Sequence, residues 1–132
     1  ELDSTVTVLK NGGTGAGYSP IQKARMLPDD FTGHSTAADL HLTPSGDYLY
    51  GSNRGHDSIV CFRVDRASGR LEYVDHTPSA GRTPRNFMIT TDGAFLVVAN
   101  QDSDNLVTFR IDGKSGKQGL IEKKWDVDIV LL

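Results

Sequence analysis

Residues of different chemistry occupy one equivalent position in three copies of a repeated segment. Glu1, Arg54 and Gln101 supply a carboxylate, a guanidinium and an amide at that position. A carboxylate can act as a base, and a guanidinium binds anionic groups through paired donors. A polar position that varies between repeats is where an individual function can be installed, although three polar residues can also simply solvate a surface.

A second cation is expected close to the first. Pro84 stiffens the loop of residues 81–86 and places Arg85 at the start of a strand. Arg54 and Arg85 together would form an anion clamp, with Glu1 nearby as a possible base. His56 follows Arg54 in the same loop and is a further candidate.

Two positions keep one residue type between the copies. Asn53 matches Asn100, and Asp57 matches Asp104. Constancy of this kind indicates a scaffold role, in which the side chain bonds its own turn. Asn53 is nevertheless retained as a candidate substrate-binding residue, together with Arg85, Gln101 and His56.

Other chemistry is not indicated. The four histidines have no spacing typical of zinc ligands, so we expect no zinc site. The glycine-rich residues 12–17 lack the lysine and helix of a phosphate-binding loop. The single cysteine, Cys61, lies in an apolar strand and is predicted to be a small packing residue.

The strands expected to carry these residues belong to a segment that is repeated in the sequence. Residues 41–72 overlay residues 88–119 without a gap, 47 positions apart, with 11 identities. A repeat of this length made of short strands is typical of a β-propeller blade, a four-stranded antiparallel sheet that packs against its neighbours. In such a fold the loop between the second and third strands lies at one end of the central funnel.

The strands within each copy follow from alternating apolar residues and intervening turns. The first complete blade is predicted at 39–85, with strands at 39–43, 48–52, 58–65 and 71–76. The second is predicted at 86–125, with strands at 86–90, 95–99, 105–112 and 119–124. Residues 1–38 would be the last two strands of an earlier blade (4–9 and 21–27) with a crossing loop, and 126–132 a first or closing strand.

The predicted fold class is therefore all-β, a partial propeller of about two and a half blades. Its exposed sheet edges would have to be covered by missing blades or by self-association. The net charge of −3 and the absence of a long apolar segment argue against nucleic acid and membrane partners. A single cysteine favours a cytoplasmic location.

Several of these motifs resemble a known family. The segments 52–59 (SNRGHDSI), 81–87 (GRTPRNF), 92–93 and 99–105 are similar to the C-terminal part of the seven-bladed β-propeller lactonases. That family includes propeller-type 6-phosphogluconolactonases, with carboxy-muconate cyclases as relatives. The opening Glu1-Leu2 resembles a family motif that carries an Asn before the Glu, and Trp125 to Leu132 lacks the family's Pro before the closing strand.

The resemblance implies an enzyme that hydrolyses a small sugar lactone such as 6-phosphogluconolactone without a cofactor. It makes Glu1 and Arg54 the expected catalytic residues and Arg85 a substrate-binding residue. Glu1 would orient or deprotonate water, while Arg54 would hold the oxyanion or an anionic group of the substrate. The chain by itself is expected to be inactive. Alternatives are a propeller that only binds a ligand or protein, a muconate-type cyclase, or a structural module that pairs with itself.

Overall fold

The structure is a computed structural model that describes residues 2–124, and this part of the chain forms three antiparallel sheets. The strands of these residues are β1 (Thr5–Asn11), β2 (Tyr18–Arg25), β3 (Thr36–Leu42), β4 (Tyr48–Arg54), β5 (Ser58–Val64), β6 (Leu71–Pro78), β7 (Pro84–Ile89), β8 (Phe95–Asn100), β9 (Asn105–Ile111) and β10 (Gln118–Lys124). A 3₁₀ turn, Gln101–Ser103, follows β8.

Each sheet is a meander of consecutive strands. The first sheet pairs β1 with β2, the middle sheet has the order β3-β4-β5-β6, and the last sheet has the order β7-β8-β9-β10. Two complete four-stranded blades and half of a third are thus present in the described residues. The all-β, partial-propeller prediction is confirmed, while the strand predicted at 126–132 lies outside the described residues.

The inner strands β3 and β7 begin earlier than the sequence pattern indicates. β3 starts at Thr36 instead of residue 39, and β7 at Pro84 instead of residue 86. A β-bulge interrupts each strand, between Ala37 and Leu40 and between Pro84 and Asn86. A bulge inserts an extra residue into one strand and so breaks the alternation from which strands are read.

The middle sheet is buried on both faces, which is why the centre of its third strand, Ile59 to Phe62, is a run of buried apolar residues. Along β5, Ile59 and Cys61 pack into a core shared with the last sheet, whereas Val60 and Phe62 pack into a core shared with the first sheet. Successive side chains of a strand point to opposite faces, so one strand serves both cores. Burial raises the pKa of the Cys61 thiol to about 11, which agrees with its predicted packing role.

Apolar side chains remain exposed on the inner and outer strands of the described chain. Leu40 and Leu42 of β3, Met88 of β7, and Leu120 and Ile121 of β10 are each 44–58% exposed. These are faces that neighbouring blades cover in a closed propeller. Whether further blades or another copy cover them in this protein stays a prediction.

Two tyrosines of β4 join the middle sheet to the last one at the hairpin between β9 and β10. The hydroxyl of Tyr48 donates to the carbonyl of Lys114 at 2.6 Å, and that of Tyr50 to the carbonyl of Gly116 at 2.5 Å. Gly116 has φ +74°, and a Cβ there would lie 2.5 Å from the Tyr48 ring. The hairpin therefore approaches closely because this residue has no side chain.

We expect Tyr50→Phe to destabilise the protein by about 1–3 kcal/mol, because the Gly116 carbonyl would lose its buried donor. The free energy of unfolding from urea denaturation measures this change. Tyr18→Phe is the matched control, since Tyr18 is 71% exposed. Equal stability of the two variants would contradict a structural role for the Tyr50 hydroxyl.

Candidate functional site

The candidate site lies at the end of the sheets where the second strand of each complete blade finishes. Arg54 is the last residue of β4, and Gln101 comes directly after β8. Arg54 pairs with Thr36 and Asn100 pairs with Pro84, so the beginnings of β3 and β7 lie at this same end. Arg54, Arg85 and Gln101 are therefore brought to one end of the structure, as predicted for Arg54 and Gln101 from the repeat and for Arg85 from its place after Pro84.

The half-buried Arg54 is held against the inner strand of its own sheet. Its Nη2 donates to the carbonyl of Ala37 at 2.9 Å. The hydroxyl of Ser35 donates to the Arg54 carbonyl at 2.8 Å and accepts the backbone N–H of His56 at 3.3 Å. Ser35 thus fixes the backbone on both sides of Gly55 and so limits the directions open to the Arg54 side chain.

The backbone N–H groups of Arg85 and Gln101 both donate to one carbonyl oxygen. The oxygen of Thr83 accepts the backbone N–H of Arg85 at 2.8 Å and that of Gln101 at 2.9 Å. Thr83 has φ +61°, a left-handed conformation that is uncommon for a β-branched residue. Both side chains are exposed, so both can reach a ligand at this end.

Asp57 connects the Arg54 loop to this carbonyl junction. Its Oδ1 accepts the backbone N–H of Gly55 at 3.1 Å and that of Thr83 at 2.9 Å, and its own carbonyl accepts Ser79 N–H at 2.9 Å. The sequence predicted the contact with its own turn. The contact with Thr83 was not predicted, because it joins the loop between β4 and β5 to the connection between β6 and β7, 26 positions later.

Gly55 is required by the close approach of the two segments. Its φ is +106°, and a Cβ there would lie 2.3 Å from the carbonyl oxygen of His34. A side chain at this position would push the loop of residues 54–57 away from the preceding crossing segment. The SNRG motif therefore has a backbone reason for its glycine.

The structure does not support direct substrate binding by Asn53. Its side chain has no exposed surface, and Nδ2 donates to the carbonyl of Met26 at 2.7 Å and to the hydroxyl of Ser58 at 3.2 Å. These contacts link the middle sheet to the crossing segment before it. A buried amide used in this way has no room for a ligand.

His56 also points away from the funnel side. Its ring packs edge-on against Phe31 at 4.7 Å and lies 5.7 Å from the ring of His76, which belongs to β6 at the far edge of the sheet from β3. Its Nδ1 is 2.7 Å from the hydroxyl of Ser58. The prediction that His56 binds substrate is therefore not supported by its position at the joint between the first and middle sheets.

Burial and the neighbouring His76 lower the pKa of His56. The Asp57 and Asp30 carboxylates act in the opposite direction but do not outweigh burial. The ring is thus held neutral to lower pH than an exposed histidine, which is typical of a packing residue at a joint.

Asp39 is a polar residue of this region that the sequence reasoning missed. Its Oδ2 accepts Nδ2 of Asn86 at 2.9 Å and the backbone N–H of Phe87 at 3.2 Å, which ties β3 to β7. Asp39 and Asn86 are the same position in the two copies, 47 residues apart. A polar pair at one repeat position on neighbouring inner strands is the signal that would have indicated this contact.

Within residues 2–124 no group of three histidine, cysteine, aspartate or glutamate side chains is arranged to hold a metal ion. The same residues include no helix with the length and hydropathy needed to cross a membrane. Glu1, the predicted base, lies outside the described residues.

Comparison with known proteins places these features in context. The family model described as "Lactonase, 7-bladed beta-propeller" matches residues 1–130. The 6-phosphogluconolactonase of Bacillus subtilis is 39% identical over 88 residues, which cover 67% of this chain and 25% of that protein.

Two solved structures are similar over nearly the whole chain. A protein from Lactobacillus plantarum superimposes with a TM-score of 0.90 at 33% identity, over 96% of this chain and 37% of that one. The periplasmic gluconolactonase of Pseudomonas aeruginosa superimposes with a TM-score of 0.89 at 37% identity, over 96% and 35%. The chain thus spans about a quarter of its curated relative and about a third of these structures.

We expect Asp57→Ala to destabilise the protein by about 1–3 kcal/mol and to speed amide exchange at Thr83, because two backbone N–H groups lose their acceptor. Hydrogen exchange and urea denaturation measure the two effects. Asp57→Asn is the control, since its amide oxygen still accepts and asparagine tolerates the φ of +55° at this position. Unchanged exchange at Thr83 in the alanine variant would show that Asp57 does not hold the junction.

The lowered pKa of His56 predicts a pH dependence of stability. The folded protein binds this proton less readily than the unfolded chain, so the free energy of unfolding falls as the pH drops below about 6.5. We expect His56→Gln to lose less stability than the wild type between about pH 7.5 and about pH 5. Substitution of the exposed His34 by Gln is the control, and an equal loss in the wild type and His56→Gln would refute this assignment.

Proposed function

The chain belongs to the seven-bladed β-propeller lactonase family, and from this we propose that it is part of an enzyme that hydrolyses a sugar lactone such as 6-phosphogluconolactone. The names of a relative and of a structural neighbour, a 6-phosphogluconolactonase and a gluconolactonase, support this substrate class. The observation that carries the proposal is the convergence of Arg54, Arg85 and Gln101 at one end of the sheets.

Hydrolysis of a lactone requires a nucleophilic water and stabilisation of an anionic tetrahedral intermediate. In the proposed reaction a water oxygen bonds to the lactone carbonyl carbon while Glu1 accepts the water proton. The carbonyl oxygen becomes an oxyanion, which Arg54 stabilises. The carbonyl re-forms as the ring C–O bond breaks, and Glu1 returns its proton to the departing alkoxide, which yields a hydroxy acid and restores the carboxylate.

Arg54, Arg85 and Gln101 have different proposed roles because they differ in burial and in hydrogen bonding. Arg54 is half buried and held by the Ala37 carbonyl, so its guanidinium is restrained toward one region of the site. A restrained donor stabilises a developing charge better than a mobile one. Arg85 and Gln101 are exposed and share the Thr83 junction, which suits them to hold the anionic and polar groups of the substrate. The role of Glu1 rests on its repeat equivalence to Arg54.

The chain carries only part of such a site, because it covers about a quarter of the length of its curated relative. We propose that it is the C-terminal portion of a complete propeller and is inactive without the other blades. The cytoplasmic location stays a prediction.

In the full-length protein that contains this segment, we expect Arg54→Ala to lower kcat/KM for 6-phosphogluconolactone by about 100- to 1000-fold, the loss typical of one oxyanion donor. The rate is measured as acid release, corrected for spontaneous hydrolysis. Arg66→Ala is the control, because Arg66 lies in the hairpin between β5 and β6 at the opposite end of the middle sheet.

Two other results of this rate measurement would contradict the proposal. Turnover within a few-fold of the wild type in Arg54→Ala would remove Arg54 from the reaction. No turnover above background by the wild type would favour a different lactone or cyclic substrate, or a propeller that only binds its ligand.

A further inference from the structure

The carboxylate of Asp39 is fully engaged by hydrogen bonds. Its Oδ2 accepts Asn86 Nδ2 at 2.9 Å, the Phe87 backbone N–H at 3.2 Å and His41 Nε2 at 3.0 Å, while Oδ1 accepts the Leu40 backbone N–H at 2.9 Å. A carboxylate offers about four lone-pair sites. Three of the four donors converge on Oδ2, so this oxygen is held by Asn86, Phe87 and His41 rather than offered to a ligand.

The adjacent imidazole of His41, unlike the Asp39 carboxylate, keeps a nitrogen that no described residue bonds. Because Asp39 accepts every bond it makes, Nε2 of His41 must be the protonated donor, and in the neutral ring Nδ1 carries a lone pair. No residue within 2–124 bonds that Nδ1. The ring packs edge-on against Phe87 at 4.8 Å, so its plane is fixed by Asp39 and Phe87 together. His41 is thus an oriented acceptor without a partner in the described chain.

The position of His41 in the fold makes this acceptor reachable. β3 and β7 are neighbouring edge strands, which line the central channel of a closed propeller. The side of His41 that faces the last sheet is already covered by β7, yet 42% of its side chain remains exposed. The exposed part therefore faces the open side of the inner strands.

The same strand connects His41 to the candidate site. Arg54 is bonded to the carbonyl of Ala37, which lies four residues before His41 along β3. Four regular residues at about 3.3 Å each would separate the two backbone positions by about 13 Å, and the bulge between Ala37 and Leu40 makes the separation smaller. A six-carbon lactone with a terminal phosphate can span a distance of this order.

We propose that His41, positioned by Asp39, binds a hydroxyl group of the polyhydroxylated lactone and so determines substrate specificity. The inference rests on the proposed function, because it concerns the part of the same substrate that lies away from Arg54. A neutral imidazole nitrogen accepts a hydrogen bond from a hydroxyl group. The Asp39 carboxylate beside it repels anions, which directs the phosphate or carboxylate of a ligand to the arginine end.

The test compares two lactones without phosphate, D-glucono-δ-lactone and δ-valerolactone, which has no hydroxyl groups on its ring. In the full-length protein we expect His41→Leu to lower kcat/KM for gluconolactone about tenfold, the loss expected for one neutral hydrogen bond. The value for δ-valerolactone should change less than twofold, because this substrate makes no such bond. Where δ-valerolactone turns over too slowly to measure, its inhibition constant replaces kcat/KM.

Two further variants separate binding from packing. His41→Gln keeps an acceptor and is expected to recover part of the activity toward gluconolactone. Arg66→Leu changes an exposed residue of the hairpin at the opposite end of the middle sheet and is expected to leave both substrates unaffected. Thermal unfolding of each variant shows whether the fold is retained.

The outcomes distinguish this inference from the function on which it rests. A selective loss for gluconolactone supports the assignment of His41. An equal loss for both lactones, or no loss for either, overturns it while the lactonase proposal stands. Failure of the wild type to hydrolyse gluconolactone and 6-phosphogluconolactone overturns the proposed function and this inference together.

Discussion

The structure depends on how the chain satisfies its carbonyl groups where it crosses from one sheet to the next. Asn53 donates to the carbonyl of Met26, and Asn100 donates to that of Ser79 at 3.0 Å. Both asparagines have no exposed surface. A buried carbonyl without a donor is costly, so each side chain holds the crossing segment of the preceding sheet at a defined place. His76 adds a second donor at Met26 through Nε2, at 2.7 Å.

This constraint explains why the repeat is constant at one position and variable at the next. Asn53 comes directly before Arg54, and Asn100 directly before Gln101. The buried amide anchors the end of the second strand, so the residue that follows lies at the same end of both complete blades. The asparagine therefore has the structural role, and the residue that follows it is available for chemistry. That following residue can differ between blades while the hydrogen bond from the asparagine to the crossing segment is kept.

Much of the architecture was predictable because it follows from local rules. The alternation of apolar residues and the turn residues located all ten described strands, and the 47-residue repeat indicated which of them are equivalent. The predictions departed from the structure at the inner strands, where the bulges after Ala37 and Pro84 interrupt the alternation. They also departed at Asn53 and His56, since spacing shows that residues share a loop but not which way each side chain points.

The amino-acid sequence was sufficient to predict the fold class, the order of the strands and the end of the sheets at which Arg54, Arg85 and Gln101 lie. These properties depend on periodicity and repeat position, which are properties of the chain. The contacts of Asp57 with Thr83 and of Asp39 with Asn86, and hence the orientation of His41, became apparent only from the packed sheets. Those contacts join residues far apart in the sequence, and they depend on the bulges, on left-handed backbone positions and on side-chain rotamers that form only when the sheets pack together.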